Sequence, residues 1–112
     1  MIGLTAQNLV ASIKRREISA TELTQRALKR IEASDPVLNA FTDVTTERAL
    51  REAAAVDRKL AAGDDPGPLA GVPYAVKNLF DIQGLPTLAG SKINRGYPPA
   101  RRDATLIQRL QA

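Results

Sequence analysis

A chain of 112 residues with 44% hydrophobic and 25% charged side chains is sized for one globular domain at most, with room for a real core. Its formal net charge of +4 points to acidic partners only where the cations cluster. Zero histidines and zero cysteines exclude Ser-His-Asp and Cys-His nucleophile systems, imidazole and thiolate metal sites, and any disulfide framework.

Thr5 is the expected N-cap of a first helix running to about Arg16, with Ala6, Leu9, Val10 and Ile13 on one face. The densest basic cluster, Lys14-Arg15-Arg16, falls at its end, where cations complement the helix dipole. Aromatic residues are only 4% of the chain, so the cluster lacks stacking platforms and nucleic acid is disfavoured as a partner. Ser19-Ala20-Thr21-Glu22 has the form of a capping box and opens a second helix, with Ala20, Leu23, Ala27 and Ile31 at helical spacing. Ser34-Asp35-Pro36 is expected to close that helix, because the residue before proline is pushed out of the α region. Asn39–Val44 alternates briefly and reads as a short strand.

A third helix is expected from Thr45 or Thr46 to Ala62, with Ala49, Ala53, Val56 and Leu60 as its stripe and Gly63 ending it. Glu47, Glu52 and Asp57 are interspersed with cations and read as a solvated face, not a metal site. No apolar run approaches bilayer length, and the N-terminus lacks a basic-then-apolar signal pattern. No membrane partner is expected, and the cytoplasm is the expected location.

Asp64–Pro68 is a turn-rich break. Val72–Lys77 reads as a strand with its proline near the start, Ala75 and Lys77 on one face and Tyr74 and Val76 on the other. Thr87–Ser91 reads as a short strand and turn. Asp103 is the expected N-cap of a last helix with Leu106, Ile107 and Leu110 apolar. That helix reaches Ala112 without a capping residue, and its apolar face has no following partner, so the chain reads as cut. The expected organisation is a helical part over 1–63, a strand and loop region over 64–103 bearing Lys77, and the start of a helix over 104–112.

The chemistry left open is lysine as acid or base, serine as nucleophile, and carboxylates. No Gly-x-x-x-x-Gly-Lys loop is present, and Gly67, Gly71 and Gly84 do not fit the dinucleotide fingerprint. A lysine acts as base only when neutral, which its free pKa of about 10.4 forbids near neutral pH. Burial among apolar groups makes it available. Lys77, between Val76 and Asn78-Leu79-Phe80, is the one lysine with such neighbours. Spacing alone favours the plainer alternative, a lysine at a strand end that snorkels to solvent.

Gly-Pro-Leu-Ala-Gly-Val-Pro-Tyr-Ala-Val-Lys-Asn from Gly67 to Asn78, Gly-Leu-Pro-Thr-Leu-Ala-Gly-Ser from Gly84 to Ser91, and Asp103-Ala104-Thr105 together resemble the opening of the amidase signature family. The upstream helix pair, the Asp35–Phe41 turn and the third helix fit the same pattern, so the resemblance covers essentially the whole chain. It implies that Lys77 is the catalytic general acid/base of a Ser-cisSer-Lys system that cleaves an amide C–N bond. Both serines belong to a later glycine- and serine-rich stretch that these residues do not include, so Ser91 is implied to be structural. Many family members carry Lys-Asp where this chain has Lys77-Asn78, a departure that removes a carboxylate beside the lysine. Val-Lys-Asn-Leu-Phe-Asp with Ala-Gly-Ser-Lys-Ile-Asn most resembles the branch of carboxybiuret hydrolase subunits, with glutamyl-tRNA amidotransferase subunits as near neighbours.

The expected fold class is therefore α/β: the N-terminal segment of an amidase-signature fold, with three helices, the first strands of a mixed sheet and a further helix, incomplete as a domain. The expected partners are a small amide substrate and either a small accessory subunit or a second copy of the chain. No metal or organic cofactor is implied. The 112 residues alone are expected to be inactive, since both serines are missing. A small basic helical module that binds without catalysis is the alternative from another class.

Overall fold

The computed structural model describes residues 4–112. It contains α1 (Ala6–Lys14), α2 (Ala20–Leu38), α3 (Thr46–Ala61), a 3₁₀-helix (Lys92–Gly96) and α4 (Thr105–Gln111). The chain divides into two compact units, Met1–Pro73 and Tyr74–Ala112. No helix among the described residues is long and apolar enough to cross a membrane.

In the first unit, the hydroxyl of Thr5 accepts from Asn8 N at 3.1 Å and starts α1, which buries Val10 and Ile13. The cluster after it is locally engaged. Lys14 Nζ donates to Asp65 Oδ1 at 3.2 Å, Arg15 Nε to Glu17 Oε1 at 2.6 Å, and Arg16 Nη2 to the carbonyl of Leu60 at 2.9 Å. The Arg15 guanidinium, with help from the Ser12 hydroxyl, holds the Glu17 carboxyl below the usual carboxylate range. The backbone N–H of Gly67 and then the Lys14 ammonium do the same for Asp65. All four of these charged groups are on the surface, where solvent screening keeps such pairs weak.

The capping box at Ser19 and Glu22 forms in both directions. Two further donors of the first turn of α2 are taken by α3: Asp57 accepts from Ala20 N at 2.8 Å, Thr21 N at 3.0 Å and Thr21 Oγ1 at 2.6 Å. Below this joint α2 and α3 pack together, with Ala20, Leu23 and Thr24 of α2 and Ala53 of α3 buried. Gly71 closes the same corner. A Cβ there would stand 2.8 Å from both Ala20 Cβ and Ile13 Cδ1, and its φ of +79° lies in the left-handed region.

Four expectations need correction. Asp57, expected on a solvated face, is instead half-buried and bonded to the first turn of α2. The second helix does not stop at Pro36 but carries it in the last turn and runs to Leu38. The stop comes from Asn39 in the left-handed conformation (φ 50°), whose N–H bonds the carbonyl of Asp35 at 2.7 Å. The Asp35 carboxylate then receives Ala40 N at 2.7 Å and Phe41 N at 3.2 Å, so an Asx-type exit holds the helix end against the proline's preference. The expected strands at Asn39–Val44, Val72–Lys77 and Thr87–Ser91 are also absent, and the described residues contain no strand. The physical reason is that a strand exists only through a ladder of bonds to a neighbour, and the backbone here bonds in turns or through isolated bonds to Asn78 instead. Finally, Asp103 is not the cap of α4. Its Oδ1 accepts from Gln83 N at 2.8 Å, and Ala104 occupies the N-cap position.

Two substitutions test the first unit. Gly71→Ala is expected to lower its unfolding free energy by about 1–3 kcal/mol through overpacking and a strained φ, read by chemical denaturation. Asp57→Ala orphans two backbone N–H groups, one of them on fully buried Ala20. It should cost about 1–3 kcal/mol, visible as a lower melting midpoint of the helical circular-dichroism signal.

Candidate active site

Residues 74–112 form a compact unit made mostly of turns, and Lys77 sits where the first of these begins. Its carbonyl accepts from Phe80 N at 3.2 Å, and its side chain is exposed. The bond turns the chain sharply after the lysine and leaves Asn78 half-buried. Asn78 then reaches across to a second loop. Its Oδ1 accepts from Leu88 N at 3.1 Å, and its backbone carbonyl accepts from Ala89 N at 2.8 Å. The carbonyl of Leu88 is held in turn by Asn94 Nδ2 at 2.8 Å and by Ser91 N at 2.9 Å.

A second set of bonds ties down the intervening chain. Asp81 Oδ1 accepts the hydroxyl of Thr87, and the backbone carbonyl of Asp81 accepts from Ala104 N at 2.9 Å. Gly84 N donates to the carbonyl of Ala100 at 2.9 Å, and Ala100 N returns a bond to Leu85 at 3.0 Å. The Gly84–Ser91 and Asp103–Thr105 motifs are thus both bonded to the short segment that follows Lys77. The lysine is held by turns and side-chain amides where sequence patterning expected a sheet.

Ser91 enters this arrangement through its backbone, donating to Leu88 and accepting from Asn94 N at 3.2 Å. Ser19 caps α2, and the hydroxyl of Ser34 donates to the carbonyl of Arg30 at 2.6 Å. No group of three or more acidic side chains among the described residues could hold a metal ion. The first unit carries a cleft of about 330 Å³ beside Arg16, Ser19, Asp57 and Leu60. Its polar groups are spent on helix caps, on the carbonyl of Leu60 and, for Glu17, on Arg15, so it offers no reactive constellation.

Sequence reasoning noted Asn78 only as the residue in place of a carboxylate beside the lysine, and missed Asp81 and Asn94 as residues that shape the lysine's surroundings. The available signal was asparagine and aspartate in a glycine- and proline-rich stretch, where short polar side chains bond nearby backbone.

The family model for Amidase matches residues 22–112, and the chain belongs to the amidase family. Among curated relatives it is 55% identical over 104 residues to a 1-carboxybiuret hydrolase subunit (AtzE) of Pseudomonas sp. (strain ADP), covering 93% of this chain and 23% of that protein. It is 49% identical over 111 residues to a glutamyl-tRNA(Gln) amidotransferase subunit of Acidothermus cellulolyticus, covering 99% of this chain and 22% of that one. Among solved structures, it superimposes with a TM-score of 0.94 and 52% identity on a chain of a vestigial protein complex tied to the origins of an s-triazine catabolic enzyme. That match covers 96% of this chain and 24% of the other. The chain therefore spans less than a quarter of the length of these relatives.

One strained position in the lysine's surroundings can be relieved. Ala89 adopts a φ of +46°, which costs a Cβ-bearing residue about 1–2 kcal/mol. Ala89→Gly is expected to raise stability by about 0.5–1 kcal/mol net of the added backbone entropy, measured as a higher thermal midpoint.

Proposed function

We propose that these residues form the lysine-bearing part of an amidase that cleaves an amide C–N bond, with Lys77 as general acid/base. The observation that supports it most is the family match across residues 22–112, with Lys77 in the family's Val-Lys motif. In this reading a serine hydroxyl attacks the amide carbonyl while a second serine, in a cis peptide, and Lys77 pass its proton to the leaving nitrogen. The resulting acyl-enzyme is then hydrolysed by water. Neither serine corresponds to Ser12, Ser19, Ser34 or Ser91. The 112 residues alone are therefore expected not to turn over an amide.

A lysine that works as a base must be removed from water, and Lys77 is exposed in this chain. The reading therefore requires further protein to cover it in the active enzyme, in keeping with relatives about four times as long. The mixed sheet expected from the resemblance belongs to the same proposal. Its strands would form where the extended segments around Lys77 meet neighbours from the larger protein.

The substrate we favour is a small carboxylated amide of the carboxybiuret kind, following the 55% identity to a protein that bears that name. The chain's excess positive charge lies in residues 74–112, in accord with an anionic substrate. A second reading, an amidotransferase component that releases ammonia for use on tRNA, is supported by 44–49% identity to several relatives so named. Both readings include a partner protein or a second copy, and both are favoured by family membership over a small basic binding module.

The test is to express the open reading frame that encodes these residues and assay carboxybiuret hydrolysis beside glutamine-dependent amidation of glutamyl-tRNA. Lys77→Ala should lower kcat by about 10²–10⁴-fold in whichever assay is positive. Unchanged turnover in that variant would remove Lys77 from the chemistry.

A further inference from the structure

We infer that Asn78 is a positioning residue for Lys77, acting through a clamp on Leu88 and Ala89. The inference deepens the reading of Lys77 as acid/base and rests on it. Its own basis is geometric. A lysine side chain has four rotatable bonds and a mobile head, so its amine can be aimed only if its backbone is fixed. The chain immediately beyond Lys77 is fixed twice through one residue: Asn78 Oδ1 holds Leu88 N at 3.1 Å, and the Asn78 carbonyl holds Ala89 N at 2.8 Å.

The far side of the clamp is itself locked. Asn94 Nδ2 and Ser91 N both bond the carbonyl of Leu88, so the Leu88 peptide is gripped on its N–H and on its C=O. Ala89 accepts a left-handed φ of +46° within the grip, a conformation that persists only where its surroundings impose it. The clamp thus transfers the rigidity of the 88–94 turn to the backbone at Lys77.

The bond to Leu88 needs an acceptor oxygen at the Asn78 side-chain position, and asparagine and aspartate both supply one. This gives a physical reason why Lys77-Asn78 can stand where many family members have Lys-Asp. The carboxylate's charge is dispensable for the clamp, and its oxygen is not.

The test uses the active enzyme encoded by the open reading frame carrying these residues, with four variants. Asn78→Leu, of similar volume but without an acceptor, should speed amide exchange at Leu88 and lower kcat on the order of 10²-fold with KM within about 2-fold. Asn78→Asp should restore both the slow exchange and most of kcat. Asn94→Leu loosens the same peptide from its carbonyl side without touching Lys77's neighbour, and should lower kcat in the same direction. It keeps the inference testable should Asn78→Leu fail to fold. Lys77→Ala is the control for the underlying reading. If Lys77→Ala abolishes turnover while Asn78→Leu and Asn94→Leu retain full kcat, the positioning role is overturned and the acid/base reading stands. If Lys77→Ala retains turnover, the acid/base reading fails, and the positioning role with it.

Discussion

The first unit depends on how the N-terminus of α2 is satisfied. Four backbone N–H groups there have no partner within the helix, and a helix start packed into a core cannot leave them dry. Asp57 of α3 takes those of Ala20 and Thr21, the Ser19 hydroxyl takes that of Glu22, and the Glu22 carboxylate takes that of Ser19 itself. One carboxylate thus completes the helix start and fixes the angle at which α3 crosses it. The burial of Ala20 and Leu23 follows from that joint, and so does the corner into which Gly71 fits without a side chain.

The second unit relies on a different physics. It has a single short α-helix with one deeply buried residue, Ile107, and a five-residue 3₁₀-helix, and otherwise consists of turns and loops. Order there comes from bonds between short polar side chains and backbone: Asn78 to Leu88, Asn94 to Leu88, and Asp103 to Gln83, joined by the side-chain pair of Asp81 and Thr87. Such bonds contribute about 1 kcal/mol each, far less than a core of large apolar side chains. What they provide is position. If Lys77 acts as proposed, a fixed backbone serves it better than buried area, since catalysis depends on aim to within about an ångström. The exposed Leu79, Phe80, Ile93, Tyr97, Leu106 and Leu110 mark the same unit as one whose apolar surface is not consumed internally.

Much of this was legible in the residues. The Thr5 and Ser19 caps, the capping box, the stripes of α1 to α3 and the stop at Gly63 all follow from local chemistry, and the structure has each of them except that Ala6, expected on the α1 stripe, is exposed. Errors arose where a local preference met a longer-range bond. Pro36 should have ended α2, but the Asp35 carboxylate and a left-handed Asn39 hold the last turn beyond it. Asp103 looks like a cap because of its type and place, yet its carboxylate is taken by Gln83, twenty residues earlier. The expected strands failed for a more general reason: alternation marks a segment able to join a sheet, while the ladder requires a neighbour that these residues do not supply.

The sequence by itself determined the helices of the first unit, the exclusion of histidine and cysteine chemistry, and membership of the amidase family. Those rest on intervals of three and four residues, on composition and on an ordered set of motifs, none of which needs coordinates. Only the tertiary structure decided which groups hold which. That Asp57 caps α2 and that Asn78 grips Leu88 are pairings across 36 or 37 residues and across 10. Hydrogen bonds of that range are chosen by where packing brings a donor, and a carboxylate or amide in the sequence carries no mark of its distant partner.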